Sequence, residues 1–174
     1  LGFTPENLQW VISAYALVFG GFLLLGGRAA DLLGRRRVFI AGTIVFSAAS
    51  LLSGFAWSDE TLIIFRAAQG LGAAIITPAA LSILMTTFSE GRERDAALGV
   101  WGATGAFGAV AGVLLGGVLT DLLSWEWIFY INVPLGILAA MTTWRSVPEP
   151  EHAVHRTGMD WLGLALLIVG IGSL

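Results

Sequence analysis

Gly27-Arg28-Ala29-Ala30-Asp31-Leu32-Leu33-Gly34-Arg35-Arg36-Arg37 gathers five charged residues, and it is flanked by two charge-free stretches, 8–27 and 38–58. The hydrocarbon core of a bilayer is about 30 Å thick and takes roughly 20 apolar residues of helix to cross. Each flank has that length, so the segment reads as a tight turn between two membrane-crossing helices. Gly34 suits such a turn, because without a Cβ it reaches positive φ at no steric cost. Asp31 lies one helical turn beyond Gly27, at the membrane edge, where an ionised carboxylate is costly unless paired. Arg28 at i−3 and Arg35 at i+4 are spaced to meet it on one helix face. Asp31 can equally cap the N-terminus of a neighbouring helix, where anions are favoured. On its own, the arginine cluster reads equally well as a basic loop that only sets topology.

The same alternation continues along the chain. Residues 96–120 and 127–144 carry no charge, and 61–89 carry one, Arg66. Of the 174 residues 56 % are hydrophobic and 12 % charged, with a mean hydropathy of +0.83. A soluble domain carries about 25 % charged residues. The runs are continuous and too long for spanning strands, which need only about 10 residues of alternating pattern. Helices satisfy their own backbone groups in lipid. The expectation is therefore an all-α membrane protein with spans at about 8–27, 38–58, 61–88, 96–120 and 127–144, and a further span starting at 161–174. Residues 1–144 form the helical bundle and 145–160 a linker. Both ends read as truncations, since the chain starts at Leu1 and stops inside an apolar run. With no cysteine, thiolate metal sites and disulfides are excluded.

Connections alternate sides. Segments 28–37, 90–95 and 145–160 hold eight of the nine arginines, whereas 1–7, 59–60 and 121–126 hold acidic residues and no arginine. By the positive-inside rule the first set is cytoplasmic. Leu24–Leu33 and Leu114–Leu123 match at seven of ten positions, three spans apart. Inverted three-helix repeats of this kind are a transporter building plan; chance similarity in Leu/Gly-rich sequence is the alternative.

Two further features stand out. Arg66 sits inside an apolar run, with Gln69, Gly70, Ala73 and Thr77 on its helix face. An intramembrane charge ordinarily faces a bundle interior or cavity, though an arginine this near the span's start can also snorkel to the interface. Pro78, further along, should kink this helix. Gly105, Gly108, Gly112 and Gly116, followed by Gly117, form a stripe of the kind that lets membrane helices pack closely. Trp125 and Trp127 suit the outer interface, and Asn132 and Pro134 need neighbours to satisfy them. His152 and His155, in the linker, read as solvated residues rather than metal ligands.

These strings resemble motifs of the major facilitator superfamily. Gly27, Asp31, Gly34, Arg35 and Arg36 match its Gly-x-x-x-Asp-x-x-Gly-Arg-Arg signature between helices two and three. The resemblance implies a conformational latch in which Asp31 bridges to the opposite half. It also implies that 8–27 is helix two, so that helix one is missing and the chain holds helices 2–6 and the start of 7. Arg66-Ala-Ala-Gln69-Gly70 resembles the helix-four motif of proton-coupled members, which implies that Arg66 and Gln69 line the cavity. Gly108 to Gly117 resembles the antiporter motif of helix five, with Val113 where that motif has proline. Trp125 to Gly136 and the short linker resemble the EmrB/QacA-type, fourteen-span drug–proton antiporter branch. The implied function is proton-driven export of small hydrophobic or cationic compounds from the cell membrane. The coupling carboxylate is then expected in the missing helix, the C-terminal half of the protein as a partner, and neither cofactor nor nucleic acid. A dedicated metabolite exporter and a non-transporting sensor on the same fold are the alternatives. An enzyme is not expected.

Overall fold

The computed structural model describes residues 4–148. The span expected at 161–174, His152, His155 and most of the linker lie outside the described residues. Within them the chain is helical and has no strand: α1 (Pro5–Leu33), α2 (Arg35–Gly54), α3 (Asp59–Thr87), α4 (Arg92–Leu122), α5 (Trp127–Tyr130) and α6 (Asn132–Ser146). By length and composition, five helical stretches are fit to cross a membrane, with α5 and α6 together making the fifth.

The helices outrun the charge-free stretches because a helix stops at a backbone signal and not at a charge. α1 carries Arg28 and Asp31 within it and ends only at Gly34, whose φ of 95° makes it both the C-cap of α1 and the N-cap of α2. Gly91, with φ 101°, is the N-cap of α4, whereas α3 ends earlier, with Phe88 as its C-cap. At the opposite end, Ser58 caps α3 by accepting from the Thr61 N–H, and Thr61 Oγ1 accepts from the Ser58 N–H in return. Thr4 caps α1 in the same way, accepting from the Asn7 N–H, and Asn7 then donates to the Asp59 carboxylate at the start of α3. α1 and α3 therefore begin together at one end of the bundle.

The fifth stretch, expected as one span over 127–144, is broken at Ile131. Pro134 explains the break: it has no N–H to give the Tyr130 carbonyl four residues back. Pro78 has a different outcome. α3 continues through it to Thr87, and the Ala74 carbonyl, deprived of its usual donor, lies against Gly26 of α1, where any side chain would collide with it.

Burial is inverted relative to a water-soluble protein. Among the described residues the buried apolar ones are Leu62, Val38 and seven alanines, and the buried polar ones are Thr43, Ser50, Ser53 and Gln69. The large side chains face outward, with Phe107 and Leu122 more than 70 % exposed. Lipid tails are as apolar as leucine, so membrane helices gain by close backbone packing and not by hiding large side chains. α3 packs along both α1 and α2, and α2 also carries α6. A Cβ at Gly72 would lie 2.6 Å from the Phe46 nitrogen of α2, and one at Gly42 would lie 2.8 Å from Ile75 of α3. Gly136 of α6 sits as tightly on Ser47, and Gly54 on the Tyr130 ring. α4 differs from all of these: among the described residues it meets only its chain neighbours α3 and α5, and none of its residues is buried by them.

Gly72→Leu should therefore split α2 from α3, at a cost of about 3 kcal/mol or more, because the colliding atoms are backbone and cannot yield. Thermal unfolding of the detergent-solubilised, full-length protein checks this. Gly99→Leu, in open space on α4, is the control and should leave the midpoint unmoved.

Candidate functional site

Arg66 and Gln69 are one turn apart on α3, and the helix brings their side chains together. Arg66 Nη1 donates to Gln69 Oε1, and Arg66 Nε donates to the Val11 carbonyl of α1 at 3.1 Å. The guanidinium lies over the Tyr15 ring, 4.4 Å from its centroid, with Phe129 of α5 at 5.9 Å. A cation over an aromatic face in a desolvated setting gains about 2 kcal/mol. Gly70 makes the arrangement possible: a Cβ there would stand 2.5 Å from the Tyr15 carbonyl, so its absence lets α1 bring ring and carbonyl up to Arg66. Arg66, Gln69 and Gly70 thus form one unit. The Arg66 guanidinium is turned toward α1 and Gln69.

The site extends beyond what the sequence marked. Gln69 is 2 % exposed, and its Nε2 donates to Ser50 Oγ of α2. Asn132, at the start of α6, donates to the same oxygen at 3.2 Å and to the Ile128 carbonyl at 3.3 Å. Tyr15, Val11 and Ser50 were not anticipated. A signal for Ser50 was present, since a polar side chain in a charge-free membrane helix needs a partner, and Asn132 needed one too.

The turn at 27–37 is assembled differently from the one-face reading. Gly34 breaks the helix, so Arg35 opens α2 instead of continuing α1, and the i+4 spacing from Asp31 no longer places the two on one face. Among the described residues Arg94 pairs with Glu90, and Asp31 is exposed at the end of α1 without joining Arg35. Arg36 stacks over Trp144 of α6, 4.4 Å from the ring centroid, and its Nε is buried without a hydrogen-bond acceptor. Gly27 rests beside Pro78 of α3. The turn is pinned to both α3 and α6, and the carboxylate of Asp31 is left outside.

Among the described residues the stripe on α4 is open along most of its length and approaches another helix, α5, at Gly116. A Cβ at Gly105, Gly108, Gly112 or Gly117 would have nothing within 4 Å, and one at Gly116 would touch only Ile128, at 3.8 Å. Val113 is 77 % exposed.

Compared with known proteins, residues 1–173 match the Major Facilitator Superfamily. The chain belongs to that superfamily. Superfamily relatives include a puromycin resistance protein, pur8, of Streptomyces alboniger, 45 % identical over 100 % of this chain and 34 % of the relative. The cephamycin export protein CmcT of Amycolatopsis lactamdurans is 44 % identical over 98 % of this chain and 35 % of its own length. The multidrug transporter protein MdtP of Bacillus subtilis is 38 % identical over 95 % and 28 %. The chain thus spans about a third of the length of these relatives. A crystal structure of a mutant peptide transporter, POT, in complex with sulfate superposes with a TM-score of 0.75 at 20 % identity, covering 98 % of this chain and 36 % of that one. The superfamily fold is therefore shared at low sequence similarity.

Because the Tyr15 ring supports Arg66 through its face, Tyr15→Phe should hold the stability of the full-length protein within about 0.5 kcal/mol. Tyr15→Ala should lose about 2 kcal/mol. Thermal unfolding in detergent checks both, and equal losses would show that the hydroxyl matters rather than the face.

Proposed function

We propose that this chain is the N-terminal helical part of a proton-coupled exporter of small hydrophobic or cationic drugs, working by alternating access. The observation that carries the reading is Arg66, a charge at membrane depth held by α1 and α3 and linked through Gln69 to α2 and α6. A charge so placed stands where it senses any rearrangement of four helices, and intramembrane charges mark substrate and ion paths. Relatives named for puromycin resistance, cephamycin export and multidrug transport support a drug as cargo.

The remaining parts take roles consistent with this. Asp31, exposed at the end of α1, is available to the other half of the protein as the latch, and Gly27, Gly34, Arg35 and Arg36 shape the turn that presents it. The open stripe of Gly105, Gly108, Gly112, Gly116 and Gly117 offers a packing face for a helix outside the described residues. The arginine asymmetry supports a cytoplasmic location for 28–37, 90–95 and 145–160 in a cell-membrane protein. The proton gradient supplies the energy, with no cofactor, and the string at 125–136 favours the fourteen-span branch. A second reading, export of one dedicated compound, is favoured by the two relatives at 44–45 % identity, each named for a single antibiotic.

Inverted vesicles carrying the full-length protein test both. Lipophilic cations should dissipate a preset proton gradient. Asp31→Asn should abolish this at normal membrane levels, and wild-type transport by that variant would remove the latch role. Arg66→Ala should lose gradient-driven transport, and unchanged pH dependence would separate Arg66 from coupling. A response confined to one compound of a broad panel would establish the dedicated exporter.

A further inference from the structure

Ser50 is completely buried, and nothing in the motifs points to it. Its oxygen is nevertheless where two amide donors from different helices converge. The direction of every bond in the chain is fixed by chemistry. A guanidinium only donates, so Gln69 must turn its carbonyl oxygen to Arg66. That leaves its NH₂ facing α2, where an acceptor is required, and Ser50 Oγ supplies it. A hydroxyl has two lone pairs; the second receives Asn132 Nδ2 at 3.2 Å. Both acceptor positions of Ser50 are thereby filled by N–H groups, one leading to Arg66 and the other to the broken start of α6. Asn132 is also joined to the Ile128 carbonyl across the break at Ile131, so the junction between α5 and α6 is held to the same oxygen that orients Gln69.

We propose that Ser50 is a positioning residue for Arg66: it sets the guanidinium through Gln69 and ties that setting to the start of α6 through Asn132. The proposal rests on the transport reading given above, in which Arg66 serves the substrate and proton path. Without the Ser50 oxygen the Gln69 amide loses the acceptor that holds its carbonyl toward Arg66. The guanidinium then keeps the Val11 carbonyl and the Tyr15 and Phe129 rings. Alanine is close in size to serine, so the change is in polarity and not in packing.

The test uses the full-length protein in inverted vesicles, with proton-driven efflux of a lipophilic cation measured per inserted molecule. Ser50→Ala should lower the maximal rate about tenfold, the order of one buried acceptor lost, and should leave KM within about twofold because Ser50 is completely buried between the helices. Ser50→Thr, which restores the hydroxyl, should recover most of the rate. Wild-type rates for Ser50→Ala overturn the proposal, as does a Thr variant as slow as the Ala variant. Arg66→Ala is run in parallel. If it is slow while Ser50→Ala is normal, only the positioning role fails; if it transports at the wild-type rate, the transport reading fails and the proposal with it. Should Ser50→Ala not accumulate in the membrane, Asn132→Ala carries the test, and an unchanged rate overturns the link to α6.

Discussion

The backbone of α1 at Tyr15 lies directly on Gly70 of α3, and the rest of the interior follows from that approach. With the two helices that close, the Val11 carbonyl and the Tyr15 ring reach a guanidinium that the hydrocarbon core could not otherwise hold. Arg66 in turn orients Gln69, and Gln69 reaches across to α2. The same economy of side-chain volume recurs where Gly26 meets the Ala74 carbonyl and where Gly72 meets Phe46. Helices that gain little from hiding leucine against lipid are held by van der Waals contact between backbones and by hydrogen bonds that have no water to compete with.

This explains why the molecule has a polar centre and an apolar outside. Four of the buried side chains are Thr43, Ser50, Ser53 and Gln69. Thr43 and Ser53 bond back to carbonyls of their own helix, at Phe39 and Ala49. Gln69 and Ser50 bond between helices. The first kind satisfies itself locally and carries no information about neighbours, whereas the second ties three helices into one arrangement. The Tyr130 hydroxyl adds another tie, donating to the Gly54 carbonyl at 2.8 Å and holding α5 to the end of α2.

Much of the helical layout was legible in the chain, because runs without charge report directly on what lipid will accept. The pairing of Arg66 with Gln69 was legible too, since i and i+3 share a face on any helix. Contacts between helices were not. The regular glycine stripe of α4 drew the eye, yet the glycines at close approaches are Gly26, Gly42, Gly54, Gly70, Gly72 and Gly136, which have no common spacing. A packing glycine is defined by what lies opposite, and a sequence lists no opposite. The Asp31–Arg35 pairing failed for a related reason: spacing rules assume an unbroken helix, and Gly34 intervenes. The break at Ile131 shows the converse, with Pro134 acting where Pro78 does not interrupt its helix, because α3 is embraced on both sides by α1 and α2.

One feature of the turn bears on how the bundle can deform. α1 and α2 are joined by a single residue, Gly34, so their ends there behave like the pin of a pair of dividers. The helices cannot slide past one another at that end; they can only splay. α2 has 20 residues, roughly 30 Å of helix at 1.5 Å per residue, so a tilt of about 10° at the pin displaces its far tip by about 5 Å. The far tip is where Gly54 holds Tyr130, and Ser50 lies one turn short of it. Angular play too small to disturb the Gly34 end is thus magnified into ångström-scale travel at the polar centre.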